Sequence, residues 1–353
     1  MVLLSLGTLG LLSFIGLLML GAGVGGVATS ALLALIPLVI VGAAIVWVDR
    51  WEPEPRLLLL AAFVWGGGVA TLLASLLNSV IGPALAGVFA PHMTPEAATM
   101  VFGAPVVEEF LKGLGVVIIF FLRRRQFNGP VDGIVYAAVI AAAFAFVENI
   151  QYFATADVVG LTFVLRGLVS PFGHLIYTAC LGVALGAAAR ARHRYAWTWL
   201  MPLGYVGAVL LHAAWNAAAT LAHGLGDLVV LVVFVNWLPL VVWAVVVVLL
   251  RRHEISILSR RLWEYVASGW IVPQEITMLT TMQGRRAALT WAARGGPRVK
   301  KAMKTFQRAA VALAYARQDL HTGNVGVRAR RDERALLATM GAARARFRTA
   351  MGV

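Results

Sequence analysis

Charge is scarce in this chain, and cysteine is almost missing. Of its 353 residues only 13% are Asp, Glu, Lys or Arg, while 60% are apolar. A soluble globular chain has about 25% charged and about 45–50% apolar residues, so an ordinary water-soluble enzyme is excluded. The same composition excludes a disordered or collagen-like chain. The single cysteine, Cys180, can close no internal disulfide. It lies in an apolar run, so it excludes a disulfide-stapled fold and says nothing of redox compartment. No repeat of 20–50 residues is visible either, so the inverted-repeat pattern of transporters is not evident.

The charge that is present is unevenly placed. Residues 1–250 hold ten basic and ten acidic residues and are neutral. Residues 251–353 hold twenty basic and six acidic residues and carry the whole net charge of +14. The sequence therefore divides at Arg251 into a neutral, apolar part (1–250) and a basic tail (251–353).

A membrane-crossing helix needs about 20 mostly apolar residues. Eight runs qualify: 2–22, 28–48, 57–81, 98–122, 131–153, 163–189, 196–221 and 226–250. The first has no basic leader segment and no clear small-residue cleavage site, so it is expected to be a retained span. Pro171 and Gly173 interrupt the sixth. Basic residues follow the even-numbered runs: Arg50 and Arg56, Arg123 to Arg125, Arg190, Arg192 and Arg194, then Arg251 and Arg252. The opposite ends carry only Arg166. By the positive-inside rule both termini are expected in the cytoplasm. The fold class predicted is thus all-α, a polytopic membrane bundle of about eight spans with a helical cytoplasmic tail.

Ionisable groups deep in such runs are costly and mark function. Away from the span ends these are Glu108, Glu109, Lys112, Glu148, His174 and His212. At 1.5 Å per residue, Glu108 lies roughly 22 Å from Arg123, Glu148 roughly 24 Å from Asp132, His174 roughly 24 Å from Arg190 and His212 roughly 27 Å from Arg194. Four helices present an ionisable group at nearly one level, in the outward half of the bilayer. Glu108 and Glu109 stand four and three residues before Lys112, so one ammonium can offset both carboxylates. Asn149 follows Glu148, Tyr177 follows His174 by three, and Asn216 shares a helix face with His212. Glutamates and histidines together could hold Zn²⁺, or serve without metal as general base and oxyanion donors. Either way a water could be activated.

These residues carry a resemblance. Glu108-Glu109-Phe110-Leu111-Lys112, Phe144-Ala145-Phe146-Val147-Glu148-Asn149, the later His174, and His212-Ala213-Ala214-Trp215-Asn216 resemble the motifs of the PrsW family of intramembrane proteases, in family order. That family is distantly similar to the CAAX-processing (Abi) membrane proteases. The Asp49-Arg50-Trp51-Glu52-Pro53-Glu54-Pro55 loop is also similar to an acidic-proline loop of PrsW-like proteins. The resemblance covers about residues 45–220 and implies a multi-pass plasma-membrane protease that cuts a membrane-bound protein, such as an anti-sigma factor, near the outer face. Carried over, Glu108, Glu109, Glu148, His174 and His212 match the family's polar motif positions, which leaves a metal site and a metal-free site both open. The roles expected here are Glu108 or Glu109 as base on the water and Glu148, His174 and His212 as Zn²⁺ ligands or water-positioning groups. Asn216 would hold the oxyanion, with Lys112 and Asn149 in support. CAAX-type relatives have His where Glu148 stands, so their mechanism does not transfer directly.

Other protease signatures fail. No His-Glu-x-x-His and no Gly-x-Ser-Gly is present, and Gly224-Leu225-Gly226-Asp227 reads as a turn. The competing functions are a proton-coupled transporter using the glutamates as a relay and a non-catalytic scaffold. In the tail, Val299, Met303, Phe306, Ala310, Leu313 and Leu320 recur at helical spacing, which predicts a helix with a packed face. Helices are also expected near 274–293 and 329–349, separated by Gly295-Gly296-Pro297 and Gly323. Anionic lipid headgroups are the partner that the tail charge favours, ahead of an acidic protein. Nucleic acid is not expected, because no DNA- or RNA-binding motif is present.

Overall fold

A computed structural model describes residues 2–89, 92–124, 127–222, 224–323 and 327–352. Arg125, one of the basic residues after the fourth apolar run, lies outside them. Among the described residues the chain is helical and has no strand. The α-helices are α1 (Val2–Asp49), α2 (Arg56–Val64), α3 (Thr71–Phe89), α4 (Pro95–Ala98), α5 (Ala104–Leu122), α6 (Pro130–Thr155), α7 (Val159–Thr162), α8 (Gly173–Arg190), α9 (Trp197–Leu221), α10 (Leu225–Val230), α11 (Leu238–Trp263), α12 (Pro273–Thr280), α13 (Met282–Ala293), α14 (Pro297–Thr322) and α15 (Val327–Met351). Widened π-helical turns at Trp65–Ala70, Thr99–Gly103, Phe163–Val169 and Leu231–Trp237 interrupt the apolar runs.

Five helical stretches are long and apolar enough to cross a membrane: Leu3–Asp49, Arg56–Ile81, Pro130–Thr155, Val159–Arg190 and Leu231–Trp263. The first corresponds to two of the eight runs read from the sequence. A straight helix of its length would reach about 70 Å, over twice the hydrocarbon thickness of about 30 Å. The helix is not straight, because Gly23 has non-helical angles, φ 74° and ψ 159°, in a region that favours glycine. Packing shows that the chain reverses there. Gly7 and Gly10 lie on Val64 and Gly68, beside Gly66, which abuts Ile140 of α6. Ile15 and Leu18 pack in a cluster with Ile150 and Phe153, and so do Val27 and Ala34. Leu38, Val41 and Ile45 then return to Ala138, Ala141 and Ala142. The first half of α1 thus ascends α6 and the second half descends it.

The chain forms two compact units, one of Met1–Ala189 with Tyr195–Val247 and one of Arg190–Arg194 with Val248–Val353. In the first, α6 is the central element, buried along most of its length. Small residues let its neighbours close in. A Cβ on Gly133 would lie 1.9 Å from the carbonyl oxygen of Gly182 on α8, and one on Gly115 of α5 would lie 2.4 Å from Trp65. Backbone-to-backbone approach of this kind is how membrane helices gain packing without a hydrophobic driving force. Trp65 also donates Nε1–H to the carbonyl of Leu111, 3.0 Å away.

The sixth sequence run is broken. Its first part ends at Val169 and α8 begins at Gly173, so Ser170 to Phe172 form a bend where the sequence places proline and glycine. In the second unit, Val299, Met303, Phe306, Ala310 and Leu313 of the expected stripe are buried, while Leu320 at its end is half-buried. Leu262, Ile271, Leu279 and Phe347 pack against the buried ones. Gly323 caps α14 in the left-handed conformation. The helix expected near 274–293 is two helices, because Thr281 is extended and its hydroxyl accepts from the N–H of Gly284.

Candidate active site

Four elements bring the deep ionisable residues together. From α5 come Glu108, Glu109 and Lys112; from α6, Glu148 and Asn149; from α8, His174; from α9, His212. Lys112 is fully buried and Glu109 is 1% exposed. Ions at such depth must be paired. The Lys112 ammonium lies 2.6 Å from Glu109 Oε1, 3.8 Å from Glu108 Oε2 and 3.1 Å from His174 Nδ1. It also stands 4.4 Å over the ring of Phe144, a cation–π contact.

The two adjacent glutamates have different surroundings. Glu109 is used on both oxygens. Its Oε1 faces Lys112 and, at 3.1 Å, Nδ1 of His212, while Oε2 accepts from the Thr178 hydroxyl at 2.8 Å. With Nδ1–H donated to this carboxylate, His212 keeps the lone pair of Nε2. That nitrogen lies 4.0 Å from Glu108 Oε2. Glu108 accepts from Asn78 Nδ2 on Oε1 at 3.3 Å, and its Oε2 is buried without a hydrogen-bond partner among the described residues.

Glu148 closes the other side. Its Oε2 is 2.9 Å from His174 Nε2 and 2.5 Å from a guanidinium nitrogen of Arg166. Arg166 also donates Nε–H to Asn149 at 3.0 Å and lies 3.9 Å over the ring of Tyr152. Tyr177 stacks on His212, with ring centres 5.0 Å apart. Asn216 donates to the carbonyl oxygen of Met100 at 2.7 Å.

Glu108, His174 and His212 each offer one ligand atom, and these atoms lie within 4.8 Å of one another. The set shares two histidines with the trio read from the sequence. The glutamate differs: an oxygen of Glu108 lies near the two histidines, where the sequence reading placed Glu148. Two cavities meet here. One of about 160 Å³ is lined by His174, His212, Arg166, Trp215 and Asn216. The other, of about 460 Å³, is lined by Thr71, Ser75, Asn78, Gln151 and Thr155. Glu108, Glu148 and Tyr152 line both.

Three site residues escape the sequence pattern. Arg166 reads there only as the one exception to the charge bias. Its value as a signal is that it is a lone cation at the outward end of a run, at the level expected of Glu148. Asn78 was visible as an amide in an apolar run. Thr178 had no signal beyond its position four residues after His174.

Comparison with known proteins places the chain in a family. The pattern described as PrsW family intramembrane metalloprotease matches residues 54–250, more than half of the chain. The chain belongs to the PrsW family. It is similar to Protease PrsW of Geobacillus kaustophilus (strain HTA426), 30% identical over 158 residues, which cover 44% of this chain and 66% of that protein. Protease PrsW of Clostridioides difficile (strain 630) is 28% identical over 159 residues, 43% of this chain and 62% of that protein. The chain thus spans a little under two thirds of the length of these curated relatives. No solved structure matches it.

Proposed function

We propose that this PrsW family member is an intramembrane endopeptidase that hydrolyses a peptide bond of a membrane-bound protein in the outward half of the bilayer. The observation that carries the reading is the buried Glu108 Oε2, without a hydrogen-bond partner among the described residues, 4.0 Å from His212 Nε2 and beside His174. This donor set fits a divalent cation such as Zn²⁺. It supplies oxygen and nitrogen ligands of the right kind, and its three carboxylates formally exceed Lys112 and Arg166 by one charge. Glu109 stands behind His212 as the carboxylate that fixes a ligating imidazole. We take Glu108, His174 and His212 as the residues that would hold the ion, His174 giving up one of its present contacts, to Lys112 at Nδ1 or to Glu148 at Nε2, to do so. When bound there, such an ion would lower the pKa of a water and polarise the substrate carbonyl.

The chain's own groups do the rest. Glu148, held by Arg166 through Oε2, has its second oxygen unbonded among the described residues and accepts the proton of the attacking water. Lys112 offsets Glu109 and steadies His174. One N–H of Asn216 is committed to Met100, and the other is available to the oxyanion. Asn149 keeps Arg166 in place. The substrate is expected to be a single-span protein of the anti-sigma-factor type, processed in the plasma membrane. The passes would number eight, with both termini cytoplasmic: two in α1, then α2 with α3, α5, α6, α8, α9 and α11.

Two measurements check this. Metal analysis of detergent-purified protein should find about one zinc per chain in the wild type, and a loss of most of it in His174→Ala and His212→Ala. Survey of membrane-protein ends in cells should show fragments made by the wild type and missing with Glu148→Gln. Identical fragments with the wild type and all three variants would refute the site.

We also assign the tail's exposed charge to anionic headgroups. Arg298, Lys300, Lys301, Lys304 and Arg308 are exposed along one stretch of α14. By contrast, Glu254, Glu264, Glu275 and Glu333 are paired with arginines elsewhere in the unit. Near an anionic surface each such charge contributes about 1 kcal/mol. In nanodiscs containing phosphatidylglycerol, amide exchange over 298–308 should slow relative to phosphatidylcholine, and high salt should abolish the difference. Equal exchange in both lipids would remove the assignment.

A further inference from the structure

Asn78 is a polar side chain without an evident structural task. It stands on α3, where the other polar residues are the hydroxyls of Thr71, Ser75 and Ser79, and lines the larger cavity together with Glu108 and Glu148. Its Nδ2 donates to Glu108 Oε1 at 3.3 Å. That bond fixes the amide, because the opposite orientation would set Oδ1 against a carboxylate oxygen, two acceptors face to face. Oδ1 is therefore directed away from Glu108. It is buried and has no hydrogen-bond donor among the described residues. Leaving such an acceptor unsatisfied is costly, so a donor that arrives with a ligand would recover that cost.

The two orphaned oxygens belong to one hydrogen-bonded pair. Glu108 Oε2 lies 4.0 Å from His212 Nε2, and Asn78, whose Oδ1 is buried, lines the 460 Å³ cavity. A peptide entering that cavity in extended form offers a carbonyl to the site and backbone N–H donors within a residue or two of it. The wall is mixed, with Ser75, Gln151 and Thr155 among Ala74, Met100 and Phe144, so it offers polar groups to an unwound backbone beside apolar surface for side chains.

We propose that Asn78 is a substrate-binding residue: its Oδ1 accepts one backbone N–H of the substrate close to the scissile bond, while its Nδ2 holds Glu108. Substrate thus enters along α3, through the larger cavity. The proposal rests on the protease reading, and its experiment separates the two.

The substrate is first found by comparing membrane-protein ends made by the wild type with those made by Glu108→Gln. Single-span peptides are then synthesised around the first site found. In each, one amide N–H is replaced by an ester oxygen. With the wild type, one ester position within two residues of the cut should lower kcat/KM about tenfold, mainly through KM, the worth of one hydrogen bond. Asn78→Ala should cleave the all-amide peptide about tenfold less well and show no further loss at that ester, a non-additivity that marks direct contact. The same ester penalty in Asn78→Ala as in the wild type would overturn the proposal, and so would the absence of any sensitive position. If Asn78→Ala fails to accumulate in membranes, Asn78→Ser takes its place, its hydroxyl being too short to reach the same N–H. No difference in fragments between the wild type and Glu108→Gln would instead overturn the protease reading, and this one with it.

Discussion

Glu108→Gln is expected to leave the protein folded in the membrane and to lower substrate cleavage by about three orders of magnitude. Gln is isosteric and can still accept from Asn78 through its oxygen. The amide nitrogen would then stand where Oε2 now lies unpartnered. A neutral amide there would ligate a cation poorly, so the water would lose its activation, and losing a group that acts on the water typically costs about 10²–10⁴ in rate. Folding should survive because Glu108 is the less deeply committed of the pair. Glu109→Gln makes the contrast. It removes the carboxylate from Lys112, His212 and Thr178 at once and leaves a fully buried ammonium short of its nearest partner. Loss of activity should therefore come with a lower unfolding midpoint in detergent. Cleavage by Glu108→Gln at the wild-type rate would rule out any chemical role for the Glu108 oxygen.

What the sequence revealed of this site follows from where its information lies. Depth in a membrane helix is a linear count of residues, so the common level of Glu108, Glu148, His174 and His212 could be read directly. The pairing of Lys112 with both glutamates follows in the same way from spacing on one helix. Which oxygen is free does not follow from any count. It depends on neighbours from other helices: Thr178 and His212 occupy Glu109, and Arg166 occupies Glu148. That is why the sequence pointed to Glu148 as ligand while the geometry gathers Glu108 with the histidines. The tail helices were legible because Val299, Met303, Phe306, Ala310 and Leu313 mark one face at helical spacing. The reversal of α1 was legible only as a gap between two apolar runs. A single glycine in the left-handed region makes the turn, and uninterrupted apolar residues on both sides give no other boundary.

Arg166→Met is the second variant expected to have a large effect, and it tests the part of the site that the sequence did not disclose. Arg166 is the only guanidinium near the cluster among the described residues. It binds Glu148 and Asn149 from two different nitrogens while covering Tyr152. Removing it leaves the Glu148 carboxylate, 13% exposed, with His174 as its remaining partner. Breaking one side of a buried ion pair costs about 3–5 kcal/mol, most of it from the stranded charge. The partial exposure here places the expected loss near the lower limit, about 3 kcal/mol. Two further variants separate charge from geometry. Arg166→Met/Glu148→Gln should recover most of the stability, since no ion is then stranded, yet should remain inactive. Arg166→Lys restores the charge but cannot present two separated donors in a fixed plane, so it should recover stability better than activity. Chemical unfolding in detergent, read beside cleavage of the same substrate, distinguishes these outcomes. A stable and active Arg166→Met would show that the guanidinium only covers the site, and that Glu148 is held in place by His174 alone.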